Sequence, residues 1–116
     1  MNAAVQRAGR IATAAAMFAA LGDATRFGLV AKLCESGPQS ITRLTVGGGV
    51  SRQAITKHLR ALEQAGLVRS ERAGRERIWA LHPERLSEAR QLLQQISDQW
   101  DHALARLRTF VETPRH

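Results

Sequence analysis

The last third of the chain carries an apolar repeat of seven residues, and this repeat restricts the possible folds more than any other feature. Two series interleave: Leu86, Leu93, Trp100 and Leu107 form one, and Ala89, Ile96, Ala103 and Phe110 form the other. Apolar residues spaced in this way lie along one seam of an α-helix. No glycine or proline interrupts residues 84–112, so this segment is predicted to be a single helix. Its stretch from Leu86 to Val111 measures about 37 Å at 1.5 Å per residue.

A second apolar stripe near the N-terminus predicts a partner for this seam. Ile11, Ala14, Ala15, Phe18 and Leu21 recur at helical spacing before the helix stop at Gly22 and the cap at Asp23, which predicts a helix over residues 11–21. With Arg7 and Arg10, the stretch also imitates a signal peptide, but the stop and cap favour a structural helix. We predict that helices 11–21 and 84–112 form a dimer interface containing Ile11, Phe18, Leu93, Ile96, Trp100 and Leu107. The alternative is that the long helix packs only against the first.

Between these two helices, capping residues and glycines mark three more. Asp23 caps a second helix, with Phe27, Val30, Ala31, Leu33 and Cys34 predicted as core positions. Ser40 caps a short third helix that ends at Gly47-Gly48-Gly49. Ser51 caps a fourth, which places Ile55, Leu59, Leu62 and Ala65 inside and stops at Gly66. Residues 40–66 therefore read as a helix-turn-helix unit.

The segment 67–81 predicts a β-hairpin with a basic tip. Its second strand places Trp79 and Leu81 on one face, and arginines crowd towards the turn at Gly74. The predicted fold is mainly α (α+β): a winged helix-turn-helix with a two-stranded wing and a long C-terminal dimerisation helix, with residues 1–116 as one domain.

The charge distribution indicates a nucleic-acid partner. Seventeen Lys and Arg against ten Asp and Glu give a formal net charge of +7, which suits an anionic partner. The predicted DNA-binding residues lie on the exposed face and start of the fourth helix and on the wing: Ser51, Arg52, Gln53, Thr56, Lys57, Arg60, Arg72, Arg75 and Arg77. Gln53, Thr56 and Lys57 suit base edges in a major groove, whereas the arginines suit phosphates. A solvated basic surface is the bland alternative.

Other functional classes find little support in the residues. Cys34 is the only cysteine, so no internal disulfide forms and no cysteine pair is available for a metal. No catalytic set or phosphate-binding loop is recognisable, and no apolar run reaches the roughly 18 residues of a membrane span. We therefore expect no enzymatic activity, no metal, no cofactor, no membrane association and a cytoplasmic location.

Three motifs resemble the ArsR-type winged-helix regulators. They are Leu21-Gly-Asp-Ala-Thr-Arg26, Ser51-Arg-Gln-Ala-Ile-Thr-Lys-His-Leu59, and Leu62-Glu-Gln-Ala-Gly-Leu-Val68 followed by Gly74-Arg-Glu-Arg77. The resemblance implies a dimer through the first and last helices, a recognition helix at 51–65 and repression at an inverted repeat. The thiolate pair of metal-sensing relatives is absent, since Ser40-Ile-Thr42 stands in its place, and the last helix lacks the second histidine of the other family metal site. The effector remains unknown.

These observations favour a sequence-specific transcriptional repressor that binds double-stranded DNA as a homodimer. Two alternatives stay open. One is a non-specific architectural DNA-binding protein, which needs only the basic surface and the wing. The other is a winged-helix interaction module that binds protein and not DNA.

Overall fold

The computed structural model describes residues 2–113, which form five helices and three short strands. They follow in the order α1 (Ala3–Leu21), α2 (Ala24–Ser36), β1 (Gln39–Ser40), α3 (Ile41–Thr45), α4 (Arg52–Gln64), β2 (Val68–Ala73), β3 (Glu76–Leu81) and α5 (Pro83–Glu112). Helices dominate, and the three strands form one small antiparallel sheet. The predicted fold class, a winged helix-turn-helix with a long C-terminal helix, is confirmed.

Side-chain caps fix the starts of α2, α3 and α4, as predicted. The Asp23 carboxylate accepts hydrogen bonds from the backbone N–H groups of Thr25 and Arg26, at 2.9 and 3.1 Å. The Ser40 hydroxyl accepts from the Arg43 N–H at 3.4 Å, and the Ser51 hydroxyl accepts from the Ala54 N–H at 3.1 Å. Each cap satisfies a donor that has no partner inside its own helix.

The start of α1 differs from the prediction. The helix begins at Ala3 and not at Ile11, because the Asn2 side chain caps it by accepting from the Val5 N–H at 2.9 Å. The apolar stripe begins only at Ile11, but the preceding residues include alanines, Gln6 and Arg7, which are good helix formers. The stripe therefore marks where α1 meets the rest of the protein and not where it starts.

The core gathers side chains from every helix and includes the indole of Trp79. Its members are Met17, Leu29, Leu33, Leu44, Ile55, Leu59, Leu62, Leu67, Val68, Trp79 and Ala89. Trp79 is 1% exposed, and Leu81, predicted on the same strand face, packs against this core. The core assignment of Phe27 and Cys34 was wrong, because α2 turns Leu29 and Leu33 inward and leaves both of those side chains exposed.

The sheet holds one strand more than the predicted two-stranded wing. Its order is β1-β3-β2, with all neighbours antiparallel. In β1, Gln39 pairs with Trp79 and Ser40 with Ile78, so this strand ties the start of α3 to the wing. At the tip, the Ala73–Glu76 pair closes a two-residue turn in which Gly74 has a φ of 67°. A glycine first in such a turn matches the twist of the strands.

Helix α5 extends far beyond the part of the protein that covers it. Ala89 is its one buried residue among those described, whereas Leu93, Trp100 and Leu107 are 48, 65 and 58% exposed. The Cα radius of gyration is 19.5 Å and the extents are 74 × 38 × 20 Å; a compact domain of this length has a radius of about 13 Å. Packing on α1 alone therefore leaves most of the predicted seam uncovered.

No single helix among residues 2–113 is long and apolar enough to cross a membrane. Helices α1 and α2 reach that length and composition only as a pair, bent by 102°.

Candidate nucleic-acid interface

Helix α4 has a sharp division between a buried and a polar face. Ile55, Leu59 and Leu62 point into the core, and the predicted base-reading residues Gln53 and Lys57 are exposed on the other side. Thr56, predicted on that exposed face, is half-buried, and its hydroxyl donates to the Arg52 carbonyl at 2.9 Å. Thr56 therefore presents mainly its methyl group.

Glycines and a lysine from α2 stabilise the turn that follows the five-residue helix α3. Gly47 and Gly49 have φ values of 74° and 62°, a region that favours glycine. The Lys32 ammonium donates to the carbonyls of Leu44 and Val46 at 3.4 and 3.5 Å. These contacts hold the end of α3 and the turn against α2.

The start of α4 is also tied to α3. The Arg52 guanidinium donates to the Thr42 hydroxyl at 3.5 Å, and both side chains are exposed. Ser51 is exposed as well and caps the helix. The N-terminal end of α4 thus presents free backbone N–H groups and the Arg52 charge on one surface, where a phosphate group is favoured.

The tip of the wing concentrates positive charge. Arg72 and Arg77 stand directly opposite each other across β2 and β3, and Arg75 lies in the turn; all three are exposed. Like charges in this arrangement destabilise a hairpin, so the sequence places them here at a cost in stability. An anionic partner would relieve the repulsion.

Besides Arg52, three of the predicted arginines have hydrogen-bond partners inside the protein. The Arg72 guanidinium donates to the Gly74 carbonyl at 3.4 Å. The Arg60 guanidinium donates to the Glu63 carboxylate at 3.0 Å and lies 5.3 Å from the centroid of the Trp79 ring. The Arg77 guanidinium donates to the Ser70 hydroxyl at 2.9 Å. Sequence reasoning missed Glu63 and Ser70. The i,i+3 spacing of Arg60 and Glu63 was readable, but the position of Ser70 depends on strand register.

The remaining cations of this surface carry uncompensated charge. Within residues 2–113, no acidic side chain forms an ion pair with Arg52, Lys57, Arg72 or Arg75. The surface formed by the exposed face of α4 and the wing tip is therefore electropositive, and phosphates are its natural complement.

The described residues bring together no three His, Cys, Asp or Glu side chains able to hold a metal ion. Cys34, the only cysteine of the sequence, is a free thiol on the surface of α2.

Known proteins resemble this chain in both sequence and architecture. The chain is 40% identical over 77 residues to YuzN, an HTH-type transcriptional regulator of Bacillus subtilis, in a match that covers 61% of this chain and 84% of YuzN. The structure of an ArsR-like transcriptional regulator from Rhodococcus sp. RHA1 superposes with a TM-score of 0.78 at 38% identity, covering 91% of this chain and 99% of that one. The chain belongs to the ArsR-type family of winged helix-turn-helix transcriptional regulators.

Two further matches define which parts of this ArsR-type regulator are shared. The MarR family model matches residues 23–75, which run from α2 to the wing tip. A homodimeric winged helix-turn-helix DNA-binding domain from Mycobacterium bovis shares the fold at 22% identity, with a TM-score of 0.63 over 80% of this chain and 85% of that one. The matched segment from α2 to the wing tip contains α4 and most of the wing described above, and the shared fold is the winged helix-turn-helix.

Proposed function

We propose that this regulator represses transcription by binding an inverted repeat in double-stranded DNA as a homodimer, with each chain acting as one domain. The observation that carries the proposal is the exposed basic and polar surface of α4 and the wing, opposite the helix face on which Ile55, Leu59 and Leu62 are buried. Such a helix fits the major groove, and a cationic wing fits the adjacent backbone or minor groove.

The exposed seam on α1 and α5 supports the homodimer. Ile11, Phe18, Leu93, Ile96, Trp100 and Leu107 are between 40 and 65% exposed in the single chain. A contiguous apolar surface of this kind marks an interface, and a two-fold axis lets the same surface cover itself. The homodimeric M. bovis domain shares this fold. Two α4 helices related by that axis would then meet successive major grooves about 34 Å apart.

Each DNA-binding residue takes a role that its environment allows. Gln53 pairs with adenine and Lys57 with guanine edges, while the Thr56 methyl contacts a thymine methyl. Ser51 orients the first turn of α4. Arg52, Arg72 and Arg75 bind phosphates, because they are exposed and no acidic side chain within residues 2–113 pairs with their charge. Arg60 and Arg77 contact the backbone from positions that their internal partners fix.

Selection of binding sites from a random duplex pool, followed by footprinting at several salt concentrations, tests the proposal. We expect one inverted repeat with half-sites about 10 base pairs apart. Uniform coating that disappears with salt would instead indicate an architectural protein, and absence of any duplex binding would indicate a protein-binding module.

The division between base-reading and phosphate-binding residues gives a mutational prediction. We expect Gln53→Ala to weaken binding to the selected repeat while leaving scrambled duplexes almost unaffected. Arg75→Ala should weaken both and reduce the slope of log affinity against log salt by about one unit. Fluorescence anisotropy with the two duplexes measures both effects, and equal losses from both variants would contradict the assignment.

A further inference from the structure

A continuous chain of hydrogen bonds links α4 to both strands of the wing. The two Glu63 carboxylate oxygens accept from different partners, Arg60 Nη1 at 3.0 Å and Ser70 Oγ at 3.2 Å. Ser70 Oγ in turn accepts from Arg77 Nη1 at 2.9 Å. The serine hydroxyl thus donates its one proton to Glu63 and uses a lone pair for Arg77. We call these four residues the Glu63 network.

The network is anchored on the most buried aromatic side chain of the core. Ser70 and Trp79 are direct partners across β2 and β3, and Trp79 is 1% exposed. The Arg60 guanidinium lies over the Trp79 ring at 5.3 Å, within the range of a cation–π contact. The network therefore sits where the wing leaves the core, on the sheet face that continues to Arg72 and Arg77 at the tip.

The position of a carboxylate among these arginines requires an explanation. A partly exposed ion pair contributes little to stability, and the Glu63 side chain is 34% exposed. A negative charge on a DNA-binding surface also repels phosphates and lowers affinity for every duplex. Glu63 therefore brings no gain in general affinity. Glu63 instead fixes the orientation of the wing relative to α4, since its carboxylate on α4 is linked through Ser70 on β2 to Arg77 on β3.

We propose that Glu63 is a positioning residue for sequence discrimination, which holds the wing at one angle to α4 through Ser70 and Arg77. The inference rests on the proposed DNA-binding function. With the network intact, Gln53 and Lys57 contact base edges only in the orientation in which the wing also contacts the DNA phosphate backbone. Without it, the wing binds phosphates at many angles, and wrong sequences are rejected less strongly.

Three single variants separate this role from a simple effect of charge. Ser70→Ala breaks the link and changes no charge, whereas Glu63→Gln removes one negative charge and one of the two acceptor oxygens that the network uses. Glu71→Gln is the matched control. Glu71 is the next residue on β2, points to the opposite sheet face, and forms no hydrogen bond or ion pair through its side chain within residues 2–113.

The measured quantity is the ratio of Kd values for a scrambled duplex and the selected repeat, determined by anisotropy across a salt series. We expect this ratio to fall about tenfold in Ser70→Ala and in Glu63→Gln, comparable to one mismatched base pair, and to stay unchanged in Glu71→Gln. Both glutamine variants should bind scrambled duplex more tightly at low salt, and Ser70→Ala should keep the wild-type salt slope. The Kd ratio of the double variant Glu63→Gln/Ser70→Ala should equal the ratio of either single variant, because both substitutions disrupt the same network.

An unchanged ratio in Ser70→Ala, or an equal fall in Glu71→Gln, would overturn the proposal. If Ser70→Ala melts early, Ser70→Thr keeps the hydroxyl and should restore the wild-type ratio; a failure to restore it also counts against the proposal. Failure of the proposed function is a separate result, since the wild-type protein itself would then show no discrimination between the two duplexes.

Discussion

Asp23 and Arg26 together define the corner at which α1 meets α2. Asp23 caps α2, and the Arg26 guanidinium donates to the Ala20 carbonyl near the end of α1 at 2.7 Å. The backbone N–H of Arg26 is the main reason that the pKa of the Asp23 carboxyl lies below its ordinary value, and the Arg26 charge and the Thr25 N–H act in the same direction. The motif at 21–26 thus has a structural purpose, because it sets the 102° bend between the helices.

This lowered pKa predicts a pH dependence of stability. Because the folded-state pKa lies below the unfolded one, the ionised carboxylate stabilises the fold above the unfolded pKa of about 4. That contribution is lost as the pH falls through the folded pKa. We expect wild type to melt at a higher temperature than Asp23→Asn at pH 7, and the gap to close below about pH 4. Thermal melts of both proteins across this range test it, and a gap independent of pH would contradict it.

At single positions, the sequence predicts local interactions better than burial. The caps at Asp23, Ser40 and Ser51 were predictable because a cap depends only on residues two or three positions away. The exposure of Cys34 was not predictable, since α2 also carries Leu29 and Leu33 and is apolar around much of its circumference. Only the packing of α2 on the rest of the core decides which stripe turns inward.

Among the elements, α2 contains a glycine that its environment does not require. Gly28 lies inside the helix, and an added Cβ would meet no atom within 4 Å. Alanine there should stabilise the protein by about 0.5–1 kcal/mol, because it restricts the unfolded chain and favours helix. Chemical denaturation of Gly28→Ala at fixed protein concentration measures the change.

Gly66 provides the opposite control for this substitution. Its φ is 85° at the end of α4, a conformation that alanine rarely adopts, so Gly66→Ala should destabilise. If Gly28→Ala also destabilised the protein, the open face of α2 would have to be packed against something in solution, and the argument from free space would be wrong.

Element boundaries show where the sequence stops being informative. The two long strands, α4 and α5 were predictable from periodicity and turn residues. Strand β1 was not, because Gln39 and Ser40 show no strand pattern and pair only where β3 passes them. The Glu63 network was missed for the same reason. Its Glu63–Ser70 bond joins two elements whose relative position no local pattern determines.

At the scale of the whole molecule, the single chain is incomplete. The described part of α5 from Leu93 onward exposes Leu93, Ile96, Trp100, Leu104, Leu107, Phe110 and Val111. The molecule is 74 Å long and 20 Å thick, so this apolar surface lies on a projecting rod and not on a compact body. Burying it in a second copy would stabilise the helix by removing apolar area from water. The heptad pattern predicted the surface, but which side of it α1 covers was visible only in the structure.

Trp100→Glu tests whether that surface is the dimer interface. Trp100 is 65% exposed in the single chain, and a carboxylate at this position would be buried unpaired in the dimer, which is strongly unfavourable. We expect the variant to be monomeric by sedimentation and to lose tight binding to the inverted repeat, because one half-site supplies too few contacts. Phe27→Glu is the matched control, since Phe27 is an aromatic residue 60% exposed on α2, outside the seam, and should leave the dimer intact. A dimeric Trp100→Glu protein would place the interface elsewhere, and a monomer that still bound the repeat tightly would show that dimerisation is not what joins the two half-sites.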